Sequence, residues 1–204
     1  MILRRKKPRQ LSREERTYRD DRLFIIASED THVAAQYFAL FRNSRIKVRV
    51  LPTKDGLSAP EHVLARLDTY KAEFDLVEED ELWLLLDTDH WIEKNHVATF
   101  NRVCSESMQK GYQLAHSNPC FELWLLLHKS PLDAMTQFAK CEDVALRLRR
   151  ILGGYNKRKL DASHFPPASI GEAIARAEAL DTSPSDRWPQ TTGTHVYRIV
   201  KKLV

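Results

Sequence analysis

The chain has 204 residues, 43% of them hydrophobic and 29% charged, which is enough for one domain to bury a sizeable core without staples. Its three cysteines, Cys104, Cys120 and Cys141, are odd in number and far apart, with neither a CxxC pair nor zinc-ligand spacing. No disulfide framework is required, and a reduced cytoplasm suits them; with no apolar run approaching about 18 residues, a soluble cytoplasmic protein is expected and no membrane contact.

The formal charge of +4 is unevenly placed, because residues 1–22 alone hold nine Lys or Arg against four acids. Residues 1–21 read as a basic arm that neutralises phosphates, with Arg4, Arg5, Lys6, Lys7 and Arg9 as candidate nucleic-acid contacts. A solubilising tail explains the same charge equally well.

After the arm, Leu23 to Ala27 is a short apolar run suited to a first buried strand, ended by Ser28-Glu29-Asp30-Thr31. Ala34, Tyr37, Phe38 and Phe41 then recur at helical spacing, with Asp30 or Thr31 available as cap. Ile46 to Leu51 alternates apolar and basic residues, which predicts a strand with one wet face, at an edge. Val63, Leu67, Tyr70 and Phe74 mark a second helix, entered through Pro60-Glu61.

Leu82-Trp83-Leu84-Leu85-Leu86 is too short for a membrane span and too continuous for a half-exposed strand, so it predicts a buried central strand. Asp87-Thr88-Asp89-His90 emerges where that strand stops. Val97, Phe100, Cys104 and Met108 predict a third helix, closed at Gly111, and Tyr112 to His116 a fourth strand. The alternation of strand and helix predicts an α/β fold over residues 22–130, with a mostly parallel sheet flanked by helices.

Ser117-Asn118-Pro119-Cys120-Phe121-Glu122 follows, with Asn118 expected as a helix N-cap and Pro119 as the first helical residue. The pentapeptide Leu-Trp-Leu-Leu-Leu occurs at 82–86 and again at 123–127, once as predicted strand and once as predicted helix. Residues 131–204 read as a helical extension packed on the core, with helices expected over 143–152, 170–180 and from Val196, and a polar loop over 156–167 that holds Lys157, Arg158 and Lys159.

Polar chemistry thus stands at three strand exits: Glu29 after the first, Asp87 and Asp89 after the third, Asn118 and Glu122 after the fourth. In an open α/β sheet ligands bind beyond the strands' carboxyl ends. Clustered carboxylates repel unless a cation holds them, and oxygen ligands select Mg²⁺ or Mn²⁺, with Glu29, Asp87 and Asp89 as metal ligands. Such ions suit phosphodiester hydrolysis, with Glu29 as ligand or general base. The plainer reading makes Asp87-Thr88-Asp89 a turn that caps the next helix and Glu122 a compensation of helix dipole. His90, Asn118 and His195 are candidate supporting residues. No GxGxxG, GxxxxGK[ST], HExxH or GxSxG motif is present, which leaves dinucleotide, P-loop, zincin and serine-hydrolase chemistry without support.

These stretches together resemble the RloB-like family, small proteins of restriction-modification and phage-defence loci whose core is similar to the Toprim fold. The likeness rests on Ser28-Glu29-Asp30-Thr31 with Tyr37-Phe38, on Asp87-Thr88-Asp89-His90, on Ser117-Asn118-Pro119-Cys120-Phe121-Glu122-Leu123-Trp124, and loosely on Thr191 to Val196. It implies a metal-dependent nuclease, with Glu29, Asp87 and Asp89 at the metal, often encoded beside an ATPase partner; the substrate is DNA or RNA, and Glu122, from its place at the helix start, is expected as a further ligand or support. The other reading is a non-catalytic nucleic-acid-binding or sensor module of such a system. One departure stands at the first motif. Where family members usually carry Glu-Gly followed by Thr-Glu, this chain has Glu29-Asp30 and Thr31-His32.

Overall fold

The computed structural model describes residues 22–53, 55–91, 96–133 and 135–204, so Arg4, Arg5, Lys6, Lys7 and Arg9 of the basic arm lie outside the described residues. Four parallel strands form the central sheet: β1 (Arg22–Ser28), β2 (Ile46–Leu51), β3 (Glu81–Leu85) and β4 (Gln113–Leu114), in the order β2-β1-β3-β4. The two continuous apolar runs thus become the two central strands, and the half-polar run becomes the edge. The fold class is the expected α/β class.

Because strand side chains alternate, each central strand feeds two cores. Phe24 and Ile26 of β1 and Trp83 and Leu85 of β3 point to one face. Leu23, Ile25 and Ala27, with Leu82 and Leu84, point to the other. The second face is covered by α2 (Pro60–Glu73) and α3 (Val97–Gln109), through Val63, Leu67, Phe100 and Cys104. Helix α3 turns a slightly different stripe inward than expected. Phe100, Val103, Cys104 and Ser107 are buried, while Val97 and Met108 are exposed.

The first face is covered by α1 (Val33–Phe38), α4 (Glu122–Leu127), α5 (Cys141–Leu152), α6 (Ile170–Leu180) and α7 (Val196–Leu203). Val144, Leu148, Ala173, Ala177, Ile199 and Val200 join the same apolar cluster as Phe24 and Trp83, so the segment from 131 onward shares the core of the sheet. Helix α4 is buried on all sides, which explains how Leu-Trp-Leu-Leu-Leu serves as a helix there and as a strand at 82–86.

The start of α4 differs from expectation. Ser117 and Asn118 form a short strand, β5, that pairs antiparallel with β6 (Gly193–Thr194), and the Asn118–Pro119 peptide is cis. Asn118 donates its side-chain amide to the Pro189 carbonyl. Its backbone is committed to a partner some 75 residues away in sequence, so it does not cap a helix, and α4 begins at Glu122 instead.

Candidate functional site

The backbone beyond β3 is tied to the segment after β4. Asp87 bridges to Ser117 in parallel fashion, Thr88 N–H donates to the Ser117 and Pro119 carbonyls, and Asp89 N–H donates to the Pro119 carbonyl. Glu29, just past β1, donates its N–H to the Leu85 carbonyl. Three strand ends are therefore laid side by side, and their acidic residues converge.

Each carboxylate has defined partners. Asp87, nearly buried, accepts the Phe121 backbone N–H at 2.8 Å. Glu29 accepts the Trp91 indole N–H at 3.0 Å and the Asp87 backbone N–H. The backbone N–H groups of Cys141 and His90 favour the charged form of Asp89, and the exposed His90 ring stands 3.7 Å from its carboxylate. Glu122, only 2% exposed, accepts the Tyr155 hydroxyl at 3.1 Å. Asp30 turns one oxygen to the backbone N–H groups of His32, Val33 and Ala34, capping α1, and the other toward Lys157.

Among the described residues, Lys157 is the cation of the group: its ammonium lies 3.2 Å from Asp30 and 3.2 Å from Glu122. Gln36 of α1 holds its loop in place, donating to the Lys157 carbonyl and accepting the Leu160 N–H. Burial disfavours the Lys157 charge, but Glu122, Asp30 and Asp87 outweigh it and hold the ammonium above its ordinary range.

Among the described residues one ammonium faces these acids, and the low-dielectric setting favours the protonated forms of Glu29, Asp87 and Asp89. Burial pushes Glu29 up to about 8, against the hydrogen bonds from Trp91 and Asp87 and aided by the charge of Asp89. Burial likewise holds Asp87 well above the carboxylate range, and the charges of Glu29, Glu122 and Asp89 add to it. Asp89 is raised as well, first by burial. Tyr155, beside Glu122, is held neutral by burial and by that charge.

The structure brings together Glu29, Asp87, Asp89 and Glu122, with His90 at the rim. Asn118 and His195 carry other duties. His195 is fully buried at the start of α7, 3.4 Å from Asp181, and donates its backbone N–H to the His116 carbonyl. Burial lowers it to about 4, so it is neutral at pH 7. Asp30, Tyr155 and Lys157 were not legible as site residues. A tripeptide Lys157-Arg158-Lys159 in a polar loop has no local mark that one ammonium turns inward.

Cys120 and Cys141 form a disulfide across 21 residues, between the turn before α4 and the first residue of α5. Cys104 is free and buried. Among the described residues, Cys120, Glu122 and Cys141 are the one group of three with potential ligand atoms all within 4.8 Å of one another. Its sulfurs are bonded to each other and offer no thiolates. The profile of the RloB-like protein family matches residues 24–203 of the chain. No curated protein and no solved structure matches it.

Proposed function

Because the chain belongs to the RloB-like family, we propose that it is a metal-dependent Toprim-like nuclease, hydrolysing phosphodiester bonds of DNA or RNA in a phage-defence or abortive-infection system alongside an ATPase partner. The observation that carries the reading is the cluster of proton-holding acids, Glu29, Asp87 and Asp89, at the adjacent ends of β1 and β3, with Glu122 beside them. Carboxyls crowded until their charged forms are disfavoured form a site that a divalent cation relieves.

Glu29, Asp87 and Asp89 offer oxygen donors only, which fits Mg²⁺ or Mn²⁺ and not a soft metal. Their oxygens are less tightly gathered than the ligand atoms of the Cys120, Glu122 and Cys141 group, so holding an ion would require these side chains to draw together. A bound ion of this kind lowers the pKa of water and offsets charge on a phosphate. The chain's own contributions are separable. Glu29 is suited to take a proton once its own is displaced. Phe121 N–H fixes the Asp87 carboxylate, and Glu122 positions the Lys157 ammonium, whose half-exposed side chain can meet a phosphate oxygen. The basic arm, through Arg4 to Arg9, supplies salt-dependent affinity for nucleic acid.

A non-catalytic binding or sensor module is the second reading, favoured by Asp30. Its carboxylate covers the α1 amides that a glycine there would leave open to a phosphate. One experiment separates the two readings: cleavage and binding of single-stranded DNA, duplex DNA and transfer RNA in Mn²⁺, comparing wild type with Asp89→Asn. Cleavage lost with affinity retained supports the nuclease. Binding without cleavage in both proteins would move the assignment to the binding module.

A further inference from the structure

The Cys120–Cys141 disulfide joins the two backbone segments that grip the acidic pair. Cys120 immediately precedes Phe121, whose N–H holds Asp87 at 2.8 Å. The Cys141 N–H faces Asp89 and favours its charged form. Between them, Glu122 Oε2 lies 3.4 Å from Cys141 Sγ. The first segment leads into α4, and the second opens α5. A covalent bond at this point ties the amide that holds Asp87 to the segment beside Asp89 and Glu122.

We propose that Cys120 and Cys141 are a reversible dithiol–disulfide site that tightens or loosens the acid cluster according to the redox state of small-molecule thiols around it. The burial of the two residues sets the order of events. Cys120 is fully buried, whereas Cys141 is partly exposed and is the sulfur that an external thiolate reaches. Attack on Cys141 Sγ forms a mixed disulfide there and breaks the internal bond, with the electron pair leaving on Cys120 Sγ, which takes a proton. A second external thiolate attacks the external sulfur of the mixed disulfide and releases Cys141, which is protonated in turn. Two external thiols are thereby oxidised to one external disulfide while the protein disulfide becomes two thiols. In the reduced state the Cys141 thiol faces Glu122 and can donate to it, so the buried carboxylate gains a partner as the tether is lost. The inference does not depend on the nuclease reading, because the tethered amides are a property of the metal-free protein.

The test uses the full chain without metal. After equilibration with oxidised glutathione, peptide mapping should find one link, Cys120–Cys141, with Cys104 free. Adding dithiothreitol should speed amide hydrogen exchange by about tenfold or more in peptides spanning 119–122 and 141–143, with the sheet still protected. Cys120→Ser/Cys141→Ser should exchange like the reduced wild type in both buffers. Oxidised glutathione leaving all three thiols free would overturn the proposal. So would a link whose reduction leaves exchange in those peptides unchanged. Loss of protection throughout the chain on reduction would make the bond a structural staple, and it too would overturn the switch.

Discussion

Replacing Glu29 by Gln removes a carboxyl whose pKa burial pushes up from 4.5 to about 8. One pH unit of displacement corresponds to about 1.4 kcal/mol. In the native state the group keeps its proton while the unfolded chain has already released it. Metal-free wild type therefore loses stability as pH rises from 4.5 to 8, by up to roughly 5 kcal/mol, with no further loss from this group above that window. Glu29 is partly exposed, so solvent screening reduces the figure to about 2–3 kcal/mol. Gln cannot ionise, keeps one acceptor for Trp91, and also lifts a repulsion from Asp87. The variant should match wild type near pH 4.5 and exceed it by about 2–3 kcal/mol at pH 8. Urea unfolding in EDTA at several pH values, followed by tryptophan fluorescence, reads this directly. A difference between the two proteins that does not change with pH would refute the reasoning, because the cost assigned to Glu29 is a protonation cost.

Lys157→Met leaves the buried Glu122 carboxylate with Tyr155 but without its cation, and the expected loss is about 2 kcal/mol by denaturant titration at pH 7. Asp30→Ala strips the cap from α1 and one partner from Lys157; a loss of about 1–2 kcal/mol is expected, and Asp30→Asn should recover much of it, because an amide oxygen still accepts the α1 N–H groups. Deleting residues 1–19 should flatten the slope of log affinity against log salt for nucleic acid, measured by fluorescence anisotropy, while affinity at high salt changes little.

The parts of the fold that sequence reasoning reaches are those buried on both faces. Leu23 to Ala27 and Leu82 to Leu86 cannot be read as half-wet strands, and their place at the centre of the sheet follows. The acids at their ends were legible for the same reason, since a carboxylate following such a run has few positions other than the sheet's edge. What escaped was fixed by distant partners. Asn118 looks like a helix cap in its own neighbourhood, and only Gly193 makes it a strand residue. Lys157 and Tyr155 arrive at the acids from a loop that Gln36 pins to α1, and no local pattern encodes that arrival. Cys120 and Cys141 are brought together by the packing of α4 on α5, not by a spacing motif. His195 shows the converse. A lone histidine ahead of a helix reads as a candidate proton carrier, and its ring is buried 3.4 Å from Asp181, where burial keeps it neutral at pH 7.

The central claim is that the strand-end acids hold a divalent cation. Thermal unfolding with and without Mn²⁺, on wild type and on Asp87→Asn/Asp89→Asn, tests it without any assumption about substrate. At a free concentration about a hundredfold above the dissociation constant, binding to the native state alone adds about 2.7 kcal/mol. For a chain of this size that corresponds to a rise of roughly 5–10 °C in wild type. That rise is expected in wild type, and none in the double variant. No rise in wild type, or an equal rise in both proteins, would contradict it.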